Sequence, residues 1–509
     1  MTFEPIAIVG QACTLPGALT PEALWANVLR GESAVTSPPA GRWRLPAWHA
    51  MGTPGAQEER AWSDAGGYVR GFESVFDPSG LRVPEAELRA LDPVFQWTLH
   101  TARAALRSAG LEGQGPSARA GLVLGNLSFP SASMSRYAES VWLEALGKDF
   151  LGGRAAAQAG VTHPDARNRF MSGLPAHLTA QALGLGGGAF ALDAACASSL
   201  YAIKLACDQL QDRAADLMLA GGVNAADSLF LHIGFSALSA MSRTGQSRPF
   251  HREADGLVPS EGAVFFALQR LDDARAAGRP ILGIIRGVGL SNDGRGRGLL
   301  APSEEGQIRA MRLAYAAAGL TPSDVGFVEC HATGTPVGDA TEIRSLADVF
   351  AGCSDVPIGS LKSNLGHLIT AAGGAGLIKI LGSFTAGTIA PTIHAGASIP
   401  ELAGSPVRLA TEAEPWRATG RRIAAISAFG FGGNNAHLLV EQDDGGGAKA
   451  PRASAPRSAP TPIAIIGLGA RIGDTTGRDE AARALLSGAG WGSRREAVTV
   501  ELEGLRFPP

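Results

Sequence analysis

The 509-residue chain has little of what several protein classes require. Its charges nearly cancel, 44 Lys and Arg against 47 Asp and Glu for a net −3. No bulk field is therefore available to hold nucleic acid or an anionic membrane surface. Cysteine is scarce: Cys13, Cys196, Cys207, Cys330 and Cys353 are too few and too scattered for a disulfide framework. No two of them have CxxC spacing, so no metal site is expected. The start, MTFEPIAIVGQACTLPG, lacks the basic region of a secretory signal. Nowhere do about 18 apolar residues run uninterrupted, so no transmembrane helix is expected. These absences predict a reduced, soluble, cytoplasmic protein.

What is abundant is glycine, 67 residues or about 13 %, roughly twice the usual share. It has no collagen period. Part of it is compositional bias and part lies in a Gly/Ala/Pro/Ser stretch, GGAKAPRASAPRSAP, which reads as a linker without apolar period. At ~150 residues per domain the length suggests three domains' worth of chain. After the linker the opening of the chain is echoed: Pro5, Ile6, Ala7, Ile8, Gly10, Leu29 and Gly31 recur as Pro462, Ile463, Ala464, Ile465, Gly467, Leu486 and Gly488. A strand–loop–helix start thus begins a second time, in a segment too short to close a core of its own.

Between these ends, short apolar runs alternate with helical stretches, the rhythm of an α/β protein. Strands are expected over 6–9, 121–124, 217–220, 263–268, 281–288, 325–329 and 357–360. Helices are expected over 21–29, 93–109, 198–211, 304–318 and 368–384. In the fourth helix Ile308, Met311 and Tyr315 would form the apolar face.

Three segments carry reactive residues. LDAACASSLYAIK (192–204) places Cys196 just before a helix, where free N–H groups and the helix dipole favour thiolate and would lower its pKa. VGFVECHATGTPVG (325–338) puts His331 at the exit of a strand, and IGSLKSNLGHLITAAGGAGLIKI (358–380) puts His367 at the opening of a glycine-rich helix. One histidine beside a reactive cysteine would suggest a hydrolase-like dyad, whereas two suit the stabilisation of charge on a thioester carbonyl. The remaining histidines (His49, His100, His163, His177, His232, His251, His394 and His437) read as structural. ISAFGFGGNNAH (426–437) reads as a tight turn whose amides could face an oxyanion. Two coincidences are set aside. Asp227, Ser228 and Leu229 spell a phosphopantetheine-attachment tripeptide without a carrier-like helical setting, and IAIVGQACTLPG lacks GxGxxG spacing.

LDAACASSLYAIK, ECHATGTPVGDATE, KSNLGH and FGFGGNNAH, in this order over the first 440 or so residues, resemble the β-ketoacyl synthases. These are the condensing enzymes of fatty-acid and polyketide assembly, in the thiolase superfamily. The resemblance implies an α/β thiolase-like fold of two pseudo-symmetric halves in five αβαβα layers. It implies Cys196 as the acyl-accepting nucleophile, His331 and His367 as the pair that supports malonyl decarboxylation, and Lys362 and Glu342 as residues that order them. Thr333 and Thr335 would contact a phosphopantetheine arm. The amides of Cys196 and Phe431 would form an oxyanion hole beside a gate at Phe429–Phe431. No cofactor of its own is implied, because an acyl carrier protein delivers acyl and malonyl groups on phosphopantetheine. Ala332 and Asn434 stand where the family generally has Gly and often Thr.

The boundaries that follow are 1–275 and 276–441 for the two ketosynthase halves, 442–461 for the linker, and 462–509 for the start of a second, chain-length-factor-like domain. The segments GNLSFP and DAACASSLYAIKLACD and the second start look most like polyunsaturated fatty-acid synthase subunits. A modular polyketide synthase domain and a non-elongating chain-length factor are the alternatives. A thiolase would lack the two-histidine arrangement with KSNLGH. A homodimer, or pairing with the adjacent second domain, is expected.

Overall fold

A computed structural model describes residues 3–52, 59–113, 117–147, 165–295, 298, 301–418, 420–445, 462–472, 475–488, 500–502 and 505–507. His163 and nearly all of the expected linker lie outside the described residues. The chain divides into two compact units, one of residues 1–136 with 163–451 and one of 137–162 with 452–509.

The main sheet of the first unit has, among the described residues, eleven strands: β1 Ile6–Thr14, β2 Ala120–Asn126, β3 Ala189–Leu192, β4 Leu217–Asn224, β5 Gly262–Arg270, β6 Gly283–Asn292, β7 Phe327–Glu329, β8 Val356–Gly359, β9 Val407–Leu409, β10 Ile423–Phe429 and β11 Asn434–Glu441. Their spatial order is β9-β8-β7-β10-β11-β6-β1-β5-β4-β2-β3. From the centre outward, β1-β5-β4-β2-β3 is matched by β6-β11-β10-β7-β8. In both sets two antiparallel pairings are followed by two parallel ones. Among the described residues the sets pair in the sheet where Ile6, Ala7 and Ile8 meet Ile285, Ile284 and Gly283. Two pseudo-symmetric halves are therefore written into the strand order, with the helix Leu271–Ala276 between them in sequence.

Helices complete the layers. Ser198–Gln211 and Ala372–Ala386 lie together in the middle, where Gly374 N donates to Ser199 Oγ at 3.0 Å. Pro93–Ser108 covers the outer face of the first half and Glu304–Ala318 that of the second. Each layer has its own apolar core: Leu200, Ile203, Phe266 and Leu377 in the centre, Phe95, Leu99 and Phe265 on one outside, Met311, Phe350 and Val328 on the other. This is the αβαβα arrangement of the thiolase-like fold.

Several expectations shift. The helix expected over 368–384 opens with a 3₁₀ turn, Ile369–Ala371, and is regular only over Ala372–Ala386. The buried face of Glu304–Ala318 runs through Gln307, Ala310, Met311, Ala314 and Tyr315, with Ile308 at its margin. The turn expected in 426–437 is the tip of a hairpin whose arms are β10 and β11. Among the described residues one stretch, Ile369–Ala386, is long and apolar enough to span a membrane, and it is 83 % buried in the protein's own core.

In the second unit the echo is incomplete. Arg478–Ser487 forms the expected helix. Residues 463–466 form no strand, and Ile463, Ile465 and Ile466 are 93 %, 90 % and 98 % exposed. The equivalent Ile6 and Ile8 are wholly buried because β1 has β5 and β6 on either side. An apolar run becomes a strand only where neighbours satisfy its backbone and cover its side chains.

Candidate active site

Cys196 sits in a 3₁₀ turn, Ala195–Ala197, that feeds directly into Ser198–Gln211. The turn is held by short-range bonds: Ala195 N donates to Asp193 Oδ1 at 2.8 Å, Ala194 N to Ser198 Oγ at 2.9 Å, and Ser198 Oγ to Ala195 O at 2.7 Å. Ala195 adopts φ +50°, a conformation costly for a residue with a Cβ, so the turn presents its thiol at the expense of local strain. The β10–β11 hairpin passes close above it. A Cβ on Gly430 would lie 2.5 Å from Ala194 O.

His367 reaches the thiol from the second half, with Nε2 3.0 Å from Cys196 Sγ. Its position is fixed by backbone, not by a helix start. His367 N donates to Val258 O at 2.7 Å, and Ser260 N to His367 O at 2.9 Å. The preceding Gly366 has φ +75°, and a Cβ there would lie 2.7 Å from Val258 O. A short helix, Lys362–Leu365, stands where the motif was expected to run from strand to histidine.

His331 follows β7, as expected, and completes a cluster in which one ligand atom each of Cys196, His331 and His367 lie within 4.8 Å of one another. The two imidazoles meet edge to face at 5.4 Å between centroids, and Phe429 packs on His331 at 5.8 Å. The loop that carries His331 is clamped by two carboxylates of the next helix, Pro336–Val349. Glu342 accepts from His331 N at 2.8 Å and Ala332 N at 2.7 Å. Asp339 accepts from Thr333 N at 3.0 Å and Gly334 N at 3.2 Å through Oδ1, and from Phe250 N at 2.7 Å through Oδ2. Four successive amides are thereby satisfied by two side chains three residues apart on one helix. Thr333 and Thr335 face each other, Oγ1 to Oγ1 at 3.0 Å.

Electrostatically the site is dominated by burial. It pushes the Cys196 thiol up to about 11, although Lys362 and the amides of Phe431 and Cys196 act to lower it. The expectation of a thiol acidified by its helix start is thus corrected: desolvation of the sulfur outweighs the dipole. Burial, then the Lys362 ammonium, hold His331 and His367 well below the ordinary imidazole value, so both are neutral. Burial also lowers Lys362 and raises Asp339 to about 6 and Glu342 to about 7. The resting pair is thiol plus neutral imidazole at hydrogen-bond distance, with a cation behind.

A cavity of 450 Å³ opens onto these groups. Cys196, His331, His367, Thr333, Thr335, Phe429 and Phe431 all line it, whereas Lys362 stands behind it. An apolar shell of Leu231, Phe235, Met241, Leu257 and Ile369 surrounds the thiol, and Phe235 meets Phe431 edge to face at 6.3 Å. One thiol and two imidazoles could also serve a soft metal. Metal-bound histidines normally donate their second nitrogen to a fixed acceptor, and the Nδ1 atoms of His331 and His367 have no such partner among the described residues. Asp339 escaped the sequence reading. Its signal was its place three residues before Glu342, on the same turn of a helix that starts at Pro336.

The sequence matches the family "Beta-ketoacyl synthase, N-terminal domain" over residues 3–274 and its C-terminal counterpart over 282–396. The chain therefore belongs to the β-ketoacyl synthase family, condensing enzymes of the acyltransferase type. It is 36 % identical over 454 residues to a mycocerosic acid synthase-like polyketide synthase of Mycolicibacterium smegmatis, covering 86 % of this chain and 20 % of that protein. The chain spans about a fifth of the length of such relatives. Among solved structures, "PfaC Keto synthase-Chain length factor" matches 95 % of this chain and 52 % of its own, with TM-score 0.85 and 35 % identity. The ketosynthase from module 6 of the bacillaene synthase of Bacillus subtilis 168 matches 87 % of this chain and 72 % of its own, with TM-score 0.75 and 29 % identity.

Proposed function

We propose that the domain catalyses decarboxylative Claisen condensation between an acyl group on Cys196 and a malonyl thioester, both delivered on the phosphopantetheine of an acyl carrier protein. The observation that carries this reading is the 3.0 Å contact from Cys196 Sγ to His367 Nε2 with His331 alongside. In the first step Sγ attacks the acyl thioester carbonyl while its proton passes to His367. The pantetheine thiolate leaves and takes a proton from solvent, so His367 keeps the proton on Nε2. In the second, malonyl loses carbon dioxide, and N–H donors of His331 and His367 hold the enolate oxygen. The nucleophilic carbon attacks the acyl-cysteine, and the Cys196 thiolate leaves and takes back the proton held on His367, which restores the resting pair. The amides of Cys196 and Phe431, already aimed at the sulfur, suit the oxyanion of both tetrahedral intermediates. Lys362 and Glu342 order the histidines, Thr333 and Thr335 take the pantetheine arm, and Phe429 with Phe431 gates the acyl side.

In the same reading residues 1–275 and 276–441 are the halves of the synthase, 442–461 a linker, and 462–509 the start of a chain-length-factor-like domain. The PfaC match, a ketosynthase–chain length factor that covers 95 % of the chain, supports this reading, and the polyketide synthase relatives keep a modular ketosynthase as the second. Among the described residues the outer edge of β3 ends the sheet order, and it carries Phe190, 40 % exposed, which suits pairing with a second copy or with the adjacent domain. A free, functional thiol suits a reducing, cytoplasmic setting.

Mass spectrometry of Cys196 after incubation with a panel of acyl-carrier thioesters tests the proposal. Acyl adducts on Cys196, lost in Cys196→Ala, are expected. Decarboxylation of malonyl thioester should fall at least about 100-fold in His331→Ala, and full condensation activity in that variant would remove the role assigned to His331.

A further inference from the structure

One buried ion pair in the core of the molecule touches the frame of the site without lining its cavity. Lys379 Nζ donates to Glu329 Oε2 at 2.8 Å, and the two side chains are 0 % and 3 % exposed. Lys379 also stands 5.2 Å over the ring of Phe327. The other carboxylate oxygen, Oε1, accepts from Leu361 N at 2.6 Å, at the entrance of the short helix that begins with Lys362. Glu329 is two residues before His331, Leu361 six before His367, and Lys379 lies on the helix whose Gly374 N is bonded to Ser199, three residues after Cys196. One carboxylate thus ties together the strand of the first histidine, the turn before the second and the helix packed on the cysteine.

It is also a counter-charge. Around Lys362 stand Glu329 from β7, Glu342 and Asp339 from the helix Pro336–Val349, Cys196 from its turn, Cys330, and the two imidazoles. Of the groups that favour its charged form, Glu329 acts most strongly, ahead of Glu342 and the thiols. An ion pair removed from water is costly unless its remaining lone pairs are satisfied, and here the second oxygen is spent on the backbone of the site.

We propose that Glu329, anchored by Lys379, is a positioning residue for the condensation: it fixes the Leu361–Lys362 turn and supplies the counter-charge to the ammonium behind the two histidines. This rests on the reading of Cys196, His331 and His367 as the reacting groups. Glu329 does not touch substrate, and acts through Lys362.

The test uses the full chain and malonyl-pantetheine thioester. Glu329→Gln and Lys379→Met singly leave a buried charge unpaired and are expected to lower the thermal midpoint. The double variant keeps an acceptor for Leu361 N, leaves neither position of the pair charged, and should regain the fold. In it the decarboxylation kcat is expected to fall about tenfold with KM unchanged. Loss of the anion that most favours its charged form makes Lys362 easier to deprotonate, so the basic limb of its pH–rate profile should move about one pH unit lower. Wild-type kcat and profile in a folded double variant would overturn the inference and leave the pair a structural one. Should the double variant not fold, Glu329→Asp keeps both charges but withdraws the carboxylate from Leu361 N. A reduced kcat at an unchanged midpoint supports the inference, and wild-type kcat overturns it. A wild-type chain that does not decarboxylate malonyl thioester contradicts the reading of the site instead.

Discussion

At Cys196 two effects of opposite sign meet. The helix start and the Lys362 ammonium favour thiolate, while burial in an apolar shell opposes it and prevails, leaving the thiol at about 11. A thiol in that state is inert near neutrality unless a base accepts its proton, and the neutral His367 at 3.0 Å is placed to do so. Iodoacetamide labelling of Cys196 at pH 7 should therefore slow at least about tenfold in His367→Ala and recover only as pH rises toward the thiol's own pKa. Equal labelling rates in the two proteins at pH 7 would show that His367 is not the base. These residues were legible because each lies in a contiguous motif: CASS, ECHATGT and KSNLGH. Glu329 opens the second of these motifs, but its pairing with Lys379, 50 residues on, was not legible, since it appears only when β7 and Ala372–Ala386 pack side by side.

Between elements, the site depends on how closely backbones can approach. His367 is delivered by an extended contact with residues 258–260, and Gly366 alone permits it, through its left-handed φ and the absence of a Cβ against Val258 O. Gly366→Ala should destabilise the fold by ~1–3 kcal/mol and cut decarboxylation, while Gly352→Ala, where a Cβ meets nothing within 4 Å, should change neither. Thermal unfolding and decarboxylation rates of the two variants decide this. Elements with plain apolar runs, such as Gly262–Arg270 and Leu217–Asn224, were readable from sequence. The hairpin Ile423–Phe429 and Asn434–Glu441 was not, because four residues of glycine-rich turn obscured the strands on either side of it. Val407–Leu409 is a three-residue edge strand, too short to show a period. The run at 463–466 had the composition of a strand but lacks the partners that make one.

For the molecule as a whole, the buried titratable groups set how stability varies with acid. His331, His367 and His437 are buried neutral, with His437 lowered to about 3, so their contribution is present above the ordinary imidazole pKa and lost as pH falls. Glu342, raised to about 7, behaves oppositely: it binds its proton in the fold before it would in the unfolded chain, so stability is gained as pH falls from about 7 toward the usual carboxyl range. Glu342→Gln removes that gain, worth up to ~3 kcal/mol. Its thermal midpoint should then fall more steeply than that of the wild type between pH 7 and 4.5, whatever the offset at neutrality. A parallel or shallower slope would mean that Glu342 is not protonated early. The second scale-wide feature is the exposed Ile463, Ile465 and Ile466, whose counterparts Ile6 and Ile8 are core residues of a central strand. Apolar side chains so exposed in sequence promote self-association. Ending the chain at Glu441 should leave acylation of Cys196, malonyl decarboxylation and the thermal midpoint of the synthase body unchanged, because both halves of its strand order are complete by that residue. The same truncation should lower self-association in sedimentation if residues 462–509 are the unpartnered start of another domain. Loss of activity on truncation would instead make that segment part of the synthase.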